Sequence, residues 1–319
     1  MERNLALEMV RVTEAAALSS ARWMGIGNEK AAHQAAVDAM RRTFDAVACA
    51  GTVVIGEGER GGAPMLFMGE RLGGGEGPAL DIALRALEGR RILAEGRPNA
   101  LAIVAITDAG KFFRAPDTAM DKIAVGPRAR GAVDLTLPPE ENLQRIAEVM
   151  ACHVEDLAVV ILNRPRHADL IRTIRRCGAR IKLIQDGDVS AAIATAFPES
   201  GVDVLMGSGG APEGVLAAAA LQCLGGDMQA RLKPRNDREV EGARRLGIKD
   251  KDLDRVYRID DLADGELMVA ATGVTDGDLL RGVRFFGGGA RTHSLAVRRR
   301  SGTVRFIEAS HRFERSPEY

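Results

Sequence analysis

Glu57 and Glu59 flank Gly58 directly after the β-branched run Thr52-Val53-Val54-Ile55. Paired carboxylates beside a glycine turn offer the hard oxygen donors that a divalent cation takes; read alone, they also make a plain exposed acidic turn. Further on, Ser208-Gly209-Gly210-Ala211-Pro212-Glu213-Gly214 closes a strand and opens a helix with proline in its first turn. Backbone N–H groups at such a start can receive an anion. Glu213 suits a cation there, or simply the positive end of the helix dipole. Arg164-Pro165-Arg166-His167 sets two guanidinium groups at another strand end. Their planar forks match phosphate oxygens, and the alternative is a solvated basic turn. Asp186-Gly187-Asp188 is a short acidic turn. It fits sugar hydroxyls or a cation, or a helix N-cap by one aspartate.

These groups need elements that hold them. Residues 1–50 read as two helices broken at Gly25 and Gly27, followed by the strand at 52–55. Leu101–Ile106 and Lys111–Phe113, separated by Asp108-Ala109-Gly110, carry a hairpin signal. Residues 1–136 are therefore expected to form a first domain mixing helices with a mainly antiparallel sheet. Leu137-Pro138-Pro139-Glu140-Glu141 reads as a linker that starts a helix, with proline and acids in the first turn. From there to residue 319 helices alternate with strands at 157–162, 181–184 and 202–206, the pattern of a parallel α/β domain. Ligands of such sheets sit beyond the carboxyl ends of the strands. All three strand ends carry the polar clusters named above.

The bulk properties exclude several classes. The chain has 319 residues, 46% apolar and 28% charged, as in a soluble globular protein. Lysine plus arginine equals aspartate plus glutamate at 44 each, so no global field attracts nucleic acid or acidic membranes. Aromatic residues are 4%, too few for a stacking platform on single-stranded nucleic acid. Cys49, Cys152, Cys177 and Cys223 are widely spaced, which predicts reduced thiols and no zinc site. No signal peptide or membrane span is read, so a cytoplasmic location is expected.

Taken in order, IGEGE (55–59), APML (63–66), DIA…LEG (81–89), APD (115–117), RPRH (164–167), DGDV (186–189), GGAPEG (209–214), GDM (226–228) and ATGVTDGDLL (271–280) resemble the successive motifs of class II fructose-1,6-bisphosphatases. The resemblance covers nearly the whole chain. It implies the lithium-sensitive sugar-phosphatase fold, an α/β/α/β/α sandwich of two α/β domains with the active site between them. It also implies Mg²⁺ or Mn²⁺, fructose 1,6-bisphosphate or a related sugar phosphate, and a homodimer or homotetramer.

By resemblance, Glu57 stands at a ligand position of one metal, and Glu88 and Glu213 at ligand positions of the other. Glu88, Gly89, Arg90, Arg164, Pro165, Arg166, Asp186, Gly187, Asp188 and Gly210 match substrate-binding positions. The family's Asp-Pro-x-Glu-Gly-Thr is here Arg85-Ala86-Leu87-Glu88-Gly89-Arg90, so Arg85 replaces an aspartate ligand and Arg90 a threonine. His33 replaces an aspartate ligand of the first metal, Glu29 a lysine and Ala119 a substrate-contacting tyrosine. At ~4 Å and an effective dielectric near 20, one unit-charge repulsion costs ~4 kcal/mol, and a divalent ion doubles it. The expectation is at most one bound ion, with His33 as a substitute ligand. Arg85 is expected in the place of the second ion, paired with Glu88 or Glu213. A sugar-phosphate-binding protein with weakened or lost phosphatase activity, self-associating or partnered with an active paralogue, follows. The alternative is an active fructose-1,6-bisphosphatase with a modified metal site.

Overall fold

The computed structural model describes residues 4–58 and 65–313. Glu59, Ala63 and Pro64 lie outside the described residues.

Along the chain, α1 (Leu5–Ala21) and α2 (Glu29–Phe44) lead to β1 (Ala50–Ile55), β2 (Arg71–Leu72) and β3 (Ala79–Glu88). The short α3 (Arg90–Ala94), β4 (Leu101–Asp108) and β5 (Ala119–Val125) follow. Next come α4 (Pro139–Met150), β6 (Ala158–Leu162), α5 (Ala168–Arg176), β7 (Arg180–Ile184), α6 (Asp188–Ala194) and β8 (Val204–Gly210). Then α7 (Ala211–Leu224), β9 (Asp227–Lys233), α8 (Asp237–Arg245) and β10 (Tyr257–Arg258) complete the middle of the chain. The last strands are β11 (Met268–Gly273), β12 (Arg284–Phe286), β13 (Gly289–Arg298) and β14 (Thr303–Arg312). None of the described helices is long and apolar enough to cross a membrane, and all four cysteines are free.

Two compact units result: Met1–Phe112 with Gly265–Tyr319, and Phe113–Asp264. The sequence reading placed one boundary at 136/137. The structure differs, because β5 joins the sheet of the second unit and β11 joins that of the first.

The first unit is built on an eight-stranded sheet. β1 and β3 are parallel and the other pairs antiparallel. Asn28 caps α2, accepting the Ala31 N–H at 3.0 Å. Val12, Ala16 and Ala17 of α1 and Ala32, Ala36 and Met40 of α2 are buried in one core with Ile82, Leu84, Val104 and Ala270. Small residues let the helix backbones lie close to the sheet. The hairpin expected at Asp108–Gly110 does not form. β4 is already paired on both edges, with β3 and with β11, so Lys111–Phe113 has no edge to join. The Gly110 N–H instead donates to Asp81 Oδ2 at 2.7 Å.

The second unit has a six-stranded sheet in the order β10-β9-β5-β8-β6-β7. β6 runs parallel to β7 and β8, as the sequence indicated. β5 and β9 add antiparallel pairs, so the sheet is mixed. Gly207–Gly210, read from sequence as a turn, continues β8 because it pairs with Ala119–Lys122 of β5. Pro139 opens α4 with Glu140 and Glu141 in its first turn, as expected.

Candidate active site

In the first unit, β1 delivers Glu57 just past its carboxyl end, and β3 carries Arg85 and Glu88. The β3–β4 ladder shifts register between Arg85 and Glu88, which re-aims these side chains. Gly89 then turns the chain into α3, whose first residue is Arg90. The Glu57 side chain is 1% exposed. Its Oε1 accepts the Ala86 N–H at 2.6 Å. Its Oε2 accepts Arg90 Nη2 at 2.6 Å and the protonated Nε2 of His33 at 2.8 Å. Arg85 Nη1 donates to the Gly56 carbonyl. Burial alone would push the Glu57 carboxyl up. The hydrogen bond from His33 and the charges of Arg85, His33 and Arg90 outweigh it and hold the pKa at about 2.

This carboxylate is therefore ionised and fully engaged by nitrogen donors. A divalent cation would have to displace a guanidinium and an imidazole to reach it. Among the described residues, no group of three or more His, Cys, Asp and Glu side chains gathers as a metal-holding cluster. As arranged, the donor set around Glu57 does not fit a pair of divalent ions. The sequence brought Glu57, His33, Arg85 and Arg90 forward separately; the structure brings them together. It did not foresee that Arg90 is the guanidinium on Glu57. Glu88 is buried at the end of β3.

In the second unit, β6 ends at Leu162 and a single 3-10 turn, Pro165–His167, leads into α5. Arg164 Nη1 donates to the Asn163 carbonyl at 3.1 Å, and Arg166 Nη2 to the Ser208 carbonyl at 2.7 Å. Partial burial and the charges of Arg164 and Arg235 lower the pKa of Arg166. Beyond β7, Gly187 takes a left-handed φ of 89°, a conformation that favours glycine. Its N–H donates to Asp186 Oδ1 at 3.1 Å. Burial, and then the neighbouring charge of Asp188, raise the Asp186 pKa. Glu213 lies in the first turn of α7. A Cβ on Gly210 would fall 1.9 Å from Glu213 Oε2, so the carboxylate fits only over a bare backbone. Arg164, Pro165, Arg166, Asp186, Gly187, Asp188, Gly210 and Glu213 thus all lie at the carboxyl ends of β6, β7 and β8.

Two residues that secure this end of the sheet escaped the sequence reading. Lys122, in the middle of β5, is buried with its Nζ 2.7 Å from Asp188 Oδ2 and 3.0 Å from the Gly210 carbonyl. The only local signal is a lysine inside the run Met120-Asp121-Lys122-Ile123. His167, read only as part of a basic turn, is buried. Its Nδ1–H donates to the Leu162 carbonyl at 2.7 Å, and its Nε2 accepts the Ser208 N–H at 2.8 Å. That pairing requires the neutral ring.

Burial lowers the His167 pKa from 6.5, against the hydrogen bond to Leu162. The unfolded chain therefore binds the proton more readily. The stabilisation is complete above about pH 6.5 and is lost as the pH falls below it, at most ~1.4 kcal/mol per pH unit. Replacement H167A leaves two buried backbone groups unpaired and is expected to cost ~2–4 kcal/mol in urea unfolding at pH 7.5. It should also flatten the loss of stability between pH 7.5 and 5.5.

Comparison with known proteins adds a family. The model for "Bacterial fructose-1,6-bisphosphatase, glpX-encoded" matches residues 3–311. A D-fructose 1,6-bisphosphatase class 2/sedoheptulose 1,7-bisphosphatase of Synechococcus sp. (strain JA-3-3Ab) is 47% identical over 338 residues, covering 98% of this chain and 96% of that protein. Fructose-1,6-bisphosphatase 1 class 2 of Escherichia coli (strain K12) is 44% identical over 326 residues, covering 99% of this chain and 97% of that protein.

Proposed function

Because the chain belongs to the bacterial class II fructose-1,6-bisphosphatase family, we propose that it recognises a sugar bisphosphate, with fructose 1,6-bisphosphate the first candidate, and that metal-dependent release of phosphate is weakened or lost. The observation that carries the second part is the Glu57 carboxylate, whose oxygens are taken by Arg90, His33 and the Ala86 N–H. A guanidinium holds a phosphate by charge, but it does not lower the pKa of a water as a bound divalent ion does. In this reading Arg85 takes the place of one family cation beside Glu88. Arg164 and Arg166 grip a phosphoryl group. Asp186 and Asp188 accept sugar hydroxyls. Self-association, or pairing with an active paralogue, belongs to the same proposal.

The second reading is an active enzyme that hydrolyses the 1-phosphate of fructose 1,6-bisphosphate with Mg²⁺ or Mn²⁺ on a modified site. The names of relatives 44–47% identical over nearly the whole chain favour it, and on the comparisons alone it is the better supported of the two. The local charge around Glu57 supports the first.

Phosphate release from fructose 1,6-bisphosphate and sedoheptulose 1,7-bisphosphate, with Mg²⁺ or Mn²⁺ and protein from a phosphatase-deficient host, separates them. Calorimetric binding of fructose 1,6-bisphosphate in EDTA without turnover is the result expected here. A metal-dependent rate abolished by Glu213→Ala hands the chain to the second reading. A chain that neither binds nor hydrolyses either bisphosphate removes both.

A further inference from the structure

One face of the second unit's sheet changes character along its length. Ile123 of β5 and Met206 of β8 are directly paired and belong to the apolar core beneath α4 and α5. Two residues further along, Asp121 pairs with Ser208 of β8 and with Arg231 of β9, and next Ala119 pairs with Gly210 and with Lys233. Directly opposed residues of antiparallel strands share a face, as do residues two apart. Asp121, Ser208, Arg231 and Lys233 therefore project from the same side.

Two polar atoms of this group, Ser208 Oγ and Arg231 Nε, are buried and make no hydrogen bond among the described residues. Buried polar atoms are nearly always satisfied, so these point to a polar occupant. Arg166 reaches the same place, with Nη2 on the Ser208 carbonyl, and it lies within range of the charge of Arg235. Arg235 follows Lys233 and is held by Glu239, which accepts Nε at 2.8 Å and the backbone N–H at 2.9 Å. Glu239 is itself fixed by the Thr118 hydroxyl at 2.6 Å.

The charges do not balance. Arg166, Arg231, Lys233 and Arg235 face Asp121 and Glu239. Asp121 already accepts Lys233 Nζ at 3.0 and 3.2 Å, and Asp188 is engaged by Lys122. Crowded guanidinium groups in excess of their acids, beside an unsatisfied hydroxyl, make a site for a dianion.

We propose that Ser208, Arg231, Lys233 and Arg235 join Arg166 in a seat for a phosphoryl group, which sets the preference for bisphosphates over monophosphates. The inference rests on the sugar-bisphosphate reading and adds to it the groups that take one of the two phosphates. Glu239 serves as a positioning residue, aiming Arg235 while leaving its outer N–H groups for the ligand.

The test is calorimetric titration of the full chain in EDTA with inorganic phosphate, fructose 6-phosphate and fructose 1,6-bisphosphate. Lys233→Gln and Arg235→Gln alter exposed side chains and are expected to leave the thermal midpoint within a degree or two. Each should raise the Kd for fructose 1,6-bisphosphate about tenfold, the size of one charge-assisted hydrogen bond, and Ser208→Ala should raise it several-fold. If the wild type binds the bisphosphate and all three variants bind it within twofold, the seat is wrong and the sugar-bisphosphate reading stands. If inorganic phosphate binds and the variants lose it, while no sugar phosphate binds, the seat stands and that reading falls. If no phosphate compound binds, both are overturned.

Discussion

The chain carrying H33D, R85D and R90T together is expected to release phosphate from fructose 1,6-bisphosphate with Mn²⁺ at least about a hundredfold faster than the unmodified chain. Each replacement makes the surroundings of Glu57 more negative. Arg85 to Asp alone changes the local charge by two units, and at ~4 Å with an effective dielectric near 20 each unit acts on a divalent ion with ~8 kcal/mol. Solvent screening and relaxation will take much of that, yet ~3 kcal/mol in effective barrier already gives two decades in rate. The substitutions also strip Glu57 of Arg90 Nη2 and replace the imidazole donor of His33. Without metal, the variant should therefore be less stable than the parent by a few kcal/mol, since a buried carboxylate has lost its counter-charges. Adding MnCl₂ should raise its thermal midpoint by several degrees and leave that of the parent within a degree. An unmodified chain that already turns over with Mn²⁺, and a triple variant no faster, would place catalysis outside this cluster.

The largest expected loss of stability is at Lys122. Replacement K122M removes the ammonium from a pair whose side chains are 2% and 7% exposed. Asp188 is then left as an uncompensated buried charge, and the Gly210 carbonyl loses a donor. Breaking one side of such a pair costs ~3–5 kcal/mol, which urea unfolding at pH 7.5 reads as a large drop in midpoint with an unchanged slope. The double replacement K122M/D188L should regain much of the stability, because two apolar groups no longer leave a charge behind. It should not regain ligand binding, since Asp188 is a proposed contact to the sugar. If K122M costs under ~1 kcal/mol, the ion pair does not hold the ends of β5 and β8 in place.

The strand ends were legible because the change of chemistry is abrupt. Val159-Val160-Ile161-Leu162 stops at Asn163-Arg164, and Leu183-Ile184 at Asp186-Gly187-Asp188. A buried apolar run followed by polar groups and a turn former marks the mouth of a parallel sheet whatever lies elsewhere. β5 was not legible. Its Asp121 and Lys122 break the apolar run, and the partner that makes Lys122 tolerable in the interior, Asp188, is 66 residues away. The antiparallel edge formed by β9 was hidden for a related reason. Gln229, Arg231 and Lys233 alternate with Met228, Ala230 and Leu232, but a turn-rich neighbourhood hid the period of two. Around Glu57, the residue types were readable and their partners were not. Sequence places Arg85 three residues before Glu88, yet the guanidinium on Glu57 comes from Arg90, carried there by the left-handed turn at Gly89 and the start of α3.

The return of the chain at Gly265 has a consequence during synthesis. Translation delivers α1, α2 and β1–β4 first, then the whole of Phe113–Asp264, and only afterwards β11 and β13. The inserted unit holds all its own strands and can close while the ribosome is still working. Until the tail emerges, β4 has an open edge where β11 will pair, and Thr13 and Glu14 of α1 lack Thr272 and Thr292. A nascent chain in that state shows a bare strand edge and an uncovered helix face, surfaces that holdase chaperones bind and that aggregate when left alone.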